Sequence, residues 1–497
     1  MLKRVLIANR GEIALRVIRA CRKLGVHSIA VFSDADAHLP FVREADEAHY
    51  LGPSPSADSY LNINRIVQLA LEHQADGIHP GYGFLAENAL FAKACEDAGV
   101  KFIGPSSGAI DRLGDKRNAK AVAEQAGVPV TPWIKCSGQA DPEIVKALQQ
   151  IGFPVMVKPA AGGGGKGMHR ADNLEDLTMM LPKAAREAKA SFGDDALLVE
   201  KFLPAPRHIE VQIVADEHGK VLHFFERECS LQRRHQKLLE ETPSPSLTPQ
   251  QRAKICADAV KIAQTAGYTN AGTCEFLYDE QAGSWYFCEV NTRLQVEHPV
   301  TEQVTGVDLV ELQLRVASGE KLELAQEQIR QNGHAIELRI NSEDPFFEFM
   351  PSLGYIEAFE PPEGDGIRVD AGYHTGDSVT QFYDSLVAKL IVHGKDRKAA
   401  IDLALQALAR FTVVGVSTTI PFHASLLRHP DVVKGAFNIH WVEKHMLELT
   451  RRERGQEAAV LAALMEYRHL KKVRAAQGKA GEIAFDPWSS SSLPRLR

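Results

Sequence analysis

Short apolar runs alternate with stretches of helical period over about the first 110 residues, and that alternation leaves few folds open. Residues 5–8 and 28–32 read as strands. Between them, residues 11–24 put Ile13, Val17, Cys21 and Leu24 on one helical face, with Ala14 and Ile18 beside them. Helical stretches at 61–71 and 89–98 and strands at 77–79 and 101–103 continue the pattern. Strands separated by helices predict a parallel, Rossmann-like sheet. No Gly-x-Gly-x-x-Gly follows the first strand, so a dinucleotide site is not expected there.

The chain has 497 residues, too many for one ordinary core; at about 150 residues per domain, three are expected. A second segment predicts a helix at 115–126, a strand at 153–158, a glycine loop and a returning strand, then a hairpin over 273–290. A third, richer in strands, starts near His334. Beyond about residue 449 basic residues and serines accumulate, and an exposed helix and mobile tail are expected. The formal charge of −7 disfavours a general nucleic-acid binder. No apolar run approaches the roughly 18 residues of a membrane span, and the first apolar run is too short for a signal peptide. Seven scattered cysteines without a Cys-x-x-Cys disfavour a disulfide framework or cysteine zinc site and fit a reducing cytoplasm.

Four segments carry chemistry. Lys158-Pro159-Ala160-Ala161-Gly162-Gly163-Gly164-Gly165-Lys166-Gly167 is composed as a phosphate cradle: glycines let the backbone approach a ligand and lysines add charge. In Thr273–Leu277 and Phe287–Asn291, a hairpin turning around Ala282 sets Glu275 opposite Glu289, with Asn291 on the same face. Facing carboxylates repel unless a cation lies between them, and this oxygen set suits Mg²⁺. Asn291-Thr292-Arg293-Leu294-Gln295-Val296-Glu297-His298-Pro299 brings a guanidinium fit for a planar anion and a candidate general base, Glu297; His298 reads as structural. Residues 228–237, ending in Gln232-Arg233-Arg234-His235-Gln236-Lys237, are rich in donors for a sugar or small anion.

Together these segments resemble the biotin carboxylase family of ATP-grasp ligases, from Ile7-Ala8-Asn9-Arg10-Gly11-Glu12 to Asn438-Ile439-His440. His79-Pro80-Gly81-Tyr82-Gly83-Phe84-Leu85-Ala86-Glu87-Asn88, Gln232–Lys237, Asn291–Thr301, Glu343-Asp344-Pro345 and Tyr383-Asp384-Ser385 are the most specific matches. Ala161 and Lys166 depart from the usual glycine and arginine. The resemblance implies an α/β (α+β) fold: a Rossmann-like domain over 1–114, an ATP-grasp domain over 115–330 with a mobile lid at 131–203, a β-rich C-terminal domain over 331–449 and a tail over 450–497.

The implied activity is ATP-dependent carboxylation of biotin by bicarbonate through carboxyphosphate. The resemblance assigns ATP to Lys116, Lys158, Gly164, Gly165, Glu200, Lys201, Leu203, His208, Gln232, His235, Glu275 and Glu289. It assigns two Mg²⁺ or Mn²⁺ ions to Glu275, Glu289 and Asn291, and bicarbonate to Lys237, Arg293, Gln295, Val296 and Glu297. Biotin falls to Tyr82 and Arg339, with Glu297 the base and Arg339 the enolate stabiliser. No Ala-Met-Lys-Met attachment site occurs, so the implied partners are a biotin carrier and a carboxyltransferase on other chains, in a homodimer. Whether the acceptor is acetyl-CoA, another acyl-CoA or pyruvate stays open.

Overall fold

The computed structural model describes residues 1–136, 138–139, 142–161, 167–451 and 465–468; Gly164, Gly165, Lys166 and most of the tail lie outside them. Residues 1–450 form one compact unit. Arg4–Ile7 is the middle strand of a five-stranded parallel sheet. The order is Glu47–Gly52, His27–Ser33, Arg4–Ile7, Gly77–His79, Lys101–Phe102. Val5, Leu6 and Ile7 are fully buried, as a central strand covered on both faces must be. Glu47–Gly52 is missed by the sequence pattern because it is a half-exposed edge strand with mixed polarity.

The chain order reverses at Arg4–Ile7, and loops that leave parallel strands at such a point form a crevice. The loops here are Ala8–Arg10 and Pro80–Phe84. Asn9 ties them together, its Nδ2 donating to the carbonyls of Pro80 and Tyr82 at 2.7 Å each. Gly81 has φ +63°, and a Cβ there would meet Asn9 Nδ2 at 2.8 Å.

The expected helix at 115–126 is present as Lys116–Gln125, capped by Asp115, and a further helix that was not expected, Ser107–Gly114, precedes it behind its own cap, Ser106. Next comes a four-stranded antiparallel sheet ordered Trp133–Cys136, Leu197–Lys201, Val155–Pro159, His169–Ala171. Helices Pro142–Ile151 and Leu174–Phe192 carry Ile144, Leu148, Leu177 and Leu181 into its core. The glycine-rich stretch separates two strands of this sheet.

The third sheet is antiparallel and eight-stranded. Its order is Ser284–Asn291, Asn270–Asp279, Arg207–Ala215, Val221–Arg233, Gln236–Thr242, His334–Asn341, Leu386–Gly394, Ile367–Ala371. Most of the strands predicted for the third segment thus continue the sheet of the second, whereas the run over 354–359 forms two short strands, Gly354–Tyr355 and Ala358–Glu360, in separate two-stranded sheets. One face is apolar: Ile209, Val211, Ile213, Cys274 and Phe276 pack with Ile255, Ala259 and Ile262 of helix Pro249–Ala266. The alternate residues His208, Glu210, Gln212 and Glu275 face the other way. Helix His298–Thr305 packs on that second face, and Thr301 accepts from Arg227 Nη1 at 3.0 Å. Among the described residues no helix is long and apolar enough to cross a membrane.

Gly372 brings the strand Ile367–Ala371 against the start of helix Gly11–Leu24. A Cβ there would stand 2.7 Å from Glu12 N and 3.0 Å from Gly11 Cα. Backbone cannot yield as a side chain does. Gly372→Ala is therefore expected to destabilise the protein by about 1–3 kcal/mol in urea unfolding; an unchanged midpoint would show that the helix start moves freely.

Candidate active site

The hairpin turns between Asp279 and Ser284, a register that by itself would set Glu275 opposite Cys288. Glu275 pairs with Glu289, and one residue further along the partner strand slips, leaving Cys288 as a bulge. Asn291 lies on the same face, its Nδ2 donating to Glu275 Oε1 at 2.7 Å. Two carboxylates side by side, Glu275 buried and Glu289 half-buried, oppose each other's ionisation. Burial raises Glu289, and the charge of Glu275 adds to that against the pull of Lys116, 3.8 Å away. Burial would raise Glu275 too, but Lys237 and His208 hold it well below the usual range.

Lys237 stands at the centre. Its Nζ donates to Glu210 at 2.5 Å, Glu297 at 2.6 Å and Glu275 at 3.2 Å. Burial favours the neutral amine, yet Glu210, Glu275 and Glu297 keep it charged, well above its ordinary value. Glu297 is fully buried at the start of helix His298–Thr305. One oxygen accepts from Lys237 and the other from Arg339 Nη2 at 2.9 Å. Burial pushes its pKa up, and Lys237, Arg339 and Arg227 outweigh that to hold it well below the carboxylate range. Arg339 also donates through Nε to Glu240 at 2.6 Å. Burial raises Glu240 to about 7 despite that arginine. Cationic and carboxyl side chains thus alternate from Lys237 through Glu297 and Arg339 to Glu240.

Arg293 sits beside this row, donating to Glu87 at 3.0 Å and to Gln295 Oε1 at 3.0 Å. Gln295 Nε2 in turn donates to Glu275 at 3.2 Å. His208 Nε2 lies 3.1 Å from Glu275; burial lowers its pKa, but Glu275 and Glu210 bring it above the ordinary value. Gln232 is paired with Lys237 across the ladder, and Arg234 and His235 turn the chain between them with φ +49° and +65°. His298 is structural, its Nδ1 bonded to the Gln295 carbonyl at 2.9 Å.

A second cluster lies in the four-stranded sheet. Buried Glu200 receives Lys158 and, at 2.8 Å, Lys120, while Thr131 donates to it at 3.0 Å. Lys116 N donates to the Ala160 carbonyl at 3.1 Å, joining the helix start to the chain two residues before the glycines. Lys201 caps the carbonyls of Gly152 and Phe153 at 3.2 and 3.1 Å, and Leu203 is half-buried beyond it. Tyr82 lines a cavity of about 360 Å³ with Arg10, Glu12 and Asp384.

Sequence reading passed over Glu210, Arg227, Glu240 and Lys120. Glu210 alternates with apolar neighbours and reads as solvent-facing; only helix His298–Thr305, from later in the chain, buries that face. Fully buried Arg227 makes four hydrogen bonds there, to Glu210, Gln212, Thr301 and Thr273.

The smaller sheet set against a larger one that presents carboxylates is the architecture of an ATP-grasp ligase. Three family models match: biotin carboxylase, N-terminal domain, over 1–110; carbamoyl-phosphate synthase L chain, ATP binding domain, over 115–325; and biotin carboxylase C-terminal domain over 337–444. Biotin carboxylase 1 of Bacillus subtilis is 49% identical over 445 residues, 90% of this chain and 99% of that one. Methylcrotonoyl-CoA carboxylase subunit alpha of Rattus norvegicus is 44% identical over 496 residues, 99% of this chain and 69% of that one. The biotin carboxylase domain dimer of Hydrogenobacter thermophilus 2-oxoglutarate carboxylase, solved with MgADP, ADP and bicarbonate, superposes with TM-score 0.86. It is 47% identical and covers 91% of this chain and 100% of that one. The chain belongs to the biotin carboxylase family.

Burial alone would raise Glu200, but Lys158 and Lys120 bring it down to about 2 from an ordinary 4.5. A depressed carboxylate contributes stability that is full above its unfolded value and lost as pH falls through the folded one. Here that contribution is about 3 kcal/mol, drained between pH 4.5 and 2. Glu200→Gln is expected to be less stable at pH 7 and to show a shallower acid decline in urea titrations; parallel curves would remove Glu200 as the source.

Proposed function

We propose that this chain is the biotin carboxylase component of a biotin-dependent carboxylase, using ATP and bicarbonate to carboxylate N1′ of biotin held on a separate carrier. The observation that carries this reading is Glu297, with one oxygen on Lys237 and the other on Arg339. The base needed for bicarbonate and the cation needed for biotin form one hydrogen-bonded unit.

In this reading Lys116, Lys158 and the glycine loop with Gly164 and Gly165 hold the phosphates of ATP. Glu200, Lys201 and Leu203 border the adenine, and His208, Gln232 and His235 lie near the ribose or phosphates. Glu275, Glu289 and Asn291 would hold Mg²⁺ or Mn²⁺. They fit a divalent cation, since two facing carboxylates and an amide oxygen on one sheet face make a hard oxygen donor set. Bound there, the metal neutralises charge on the phosphate oxygens.

Lys237, Arg293, Gln295 and the backbone of Val296 hold bicarbonate. Glu297, kept ionised by its cations, takes the bicarbonate proton as the anion's oxygen attacks the γ-phosphorus. ADP leaves and carboxyphosphate remains, with its charge met by Lys237 and Arg293. Carboxyphosphate splits to CO₂ and phosphate, and phosphate takes the proton from biotin N1′. The enolate so formed lies against Arg339, with Tyr82 alongside, and N1′ attacks CO₂. Each oxygen of Glu297 accepts one hydrogen bond from its cation and keeps a further acceptor site for the proton. A closed lid keeps water from carboxyphosphate.

A carrier and a carboxyltransferase on other chains complete the reaction. We place the chain in the cytoplasm, as its scattered cysteines favour, and as a homodimer, the form solved for the Hydrogenobacter domain. The acceptor we infer is an acyl-CoA, acetyl-CoA or a longer one. Its support is the likeness to the rat acyl-CoA carboxylase subunit, which spans 496 residues, whereas that to the Bacillus protein spans 445.

Purified protein with Mg²⁺, ATP and bicarbonate should release ADP, faster with free biotin or a biotinylated carrier. No bicarbonate dependence would overturn the reading; bicarbonate dependence without either biotin effect would point to another ATP-grasp substrate. Arg339→Ala is expected to cut biotin carboxylation by roughly a hundredfold or more while bicarbonate-dependent ATP cleavage largely remains. Glu297→Gln should lower both. Survival of biotin carboxylation in Arg339→Ala removes the enolate role, and an unchanged Glu297→Gln removes the base.

A further inference from the structure

We propose that Lys389 and Glu12 are a positioning pair for the bicarbonate-binding segment, with Lys389 holding the peptide between Val296 and Glu297 in place. The inference rests on the reading of residues 293–297 given above. Lys389 is fully buried in the strand Leu386–Gly394, directly across the ladder from Arg339 on one side and Asp370 on the other. Its Nζ rises to the Val296 carbonyl, which it reaches at 2.8 Å. Behind it stands the carboxylate of Glu12, 3.2 Å away in the first turn of helix Gly11–Leu24. The Tyr82 ring centroid is 5.9 Å from the ammonium.

A buried lysine is costly unless paired, so a position like this is restrictive. Glu12 is the carboxylate nearest to Lys389 and, with Glu337 and Asp370, keeps it ionised against burial; burial in turn raises Glu12 to about 7, with Lys389 opposing that rise. Asp370, 4.0 Å away, is already claimed by Arg368 at 2.7 Å. The carbonyl that Lys389 holds belongs to the peptide whose N–H is that of Glu297. Fixing it sets where the backbone of Val296 faces bicarbonate and where the side chain of Glu297 starts. No other element supplies a charged donor to this carbonyl among the described residues. Three segments far apart in sequence thus converge on one peptide: the first helix, the Val296 loop and a late strand.

The test is steady-state kinetics of bicarbonate-dependent ATP cleavage alongside unfolding midpoints. Lys389→Met is expected to raise the KM for bicarbonate roughly ten- to hundredfold, the worth of a charged hydrogen bond, with the KM for ATP within about twofold. This variant strands the Glu12 carboxylate, so its stability falls as well. Lys389→Met combined with Glu12→Gln strands no charge of the pair and should recover the unfolding midpoint while its bicarbonate KM stays high. Two results overturn the inference: KM values for ATP and bicarbonate that rise together, or a bicarbonate KM that returns to normal with stability in the double variant. If the single variant does not fold, the double variant decides alone. A parent protein without bicarbonate-dependent ATP cleavage would instead overturn the underlying reading, before any variant is compared.

Discussion

Glu297 lies fully buried between Lys237 and Arg339, and the surrounding structure depends on that arrangement. A carboxylate in a protein interior is tolerated only with cations close by, and the cations need further carboxylates. The requirement spreads outward. Lys237 draws in Glu210 and Glu275; Arg339 draws in Glu240; Arg227 ties Glu210 to helix His298–Thr305. The result is a charged layer enclosed between a sheet and a helix, where water would normally be. In such a setting a bound anion meets oriented positive groups that need not reorganise.

The sheet topology makes this layer possible. Eight antiparallel strands run without interruption from the hairpin bearing Glu275 and Glu289 to the strands bearing Arg339 and Lys389. Side chains one face apart differ in character. Ile209 and Val211 pack against helix Pro249–Ala266, while Glu210 between them joins the charged layer. The parallel sheet contributes from its reversal point, where Asn9 fixes the loop that carries Tyr82. The four-stranded sheet contributes Lys158 and Glu200 as a separate ion pair, on the element that bears the glycine-rich stretch.

Much of this was legible residue by residue. The alternating periods of the first segment predicted the parallel sheet, and a turn around Ala282 predicted Glu275 opposite Glu289, a pairing reached through the bulge at Cys288. Local signals failed where burial comes from afar. Glu240 and Glu337 sit in strands whose alternation suggests a wet face, yet both are fully buried. Lys389, one charge in an apolar strand, carries no motif at all. The helix Ser107–Gly114 was missed because only one short side chain, the cap Ser106, marks its start.

What the sequence by itself determined was the local chemistry. It set strand and helix periods, the hairpin, the glycine-rich stretch, and the order of Asn291, Arg293, Gln295 and Glu297 along one loop. These depend on neighbours a few residues away, and short-range geometry dictates them. Tertiary structure alone decided which charges share a partner. It brought Arg339 to Glu297, Glu87 to Arg293, and Lys389 with Glu12 to Val296. Those contacts join segments dozens to hundreds of residues apart, and their strength comes from exclusion of water. Only a packed sheet and helices can supply that exclusion.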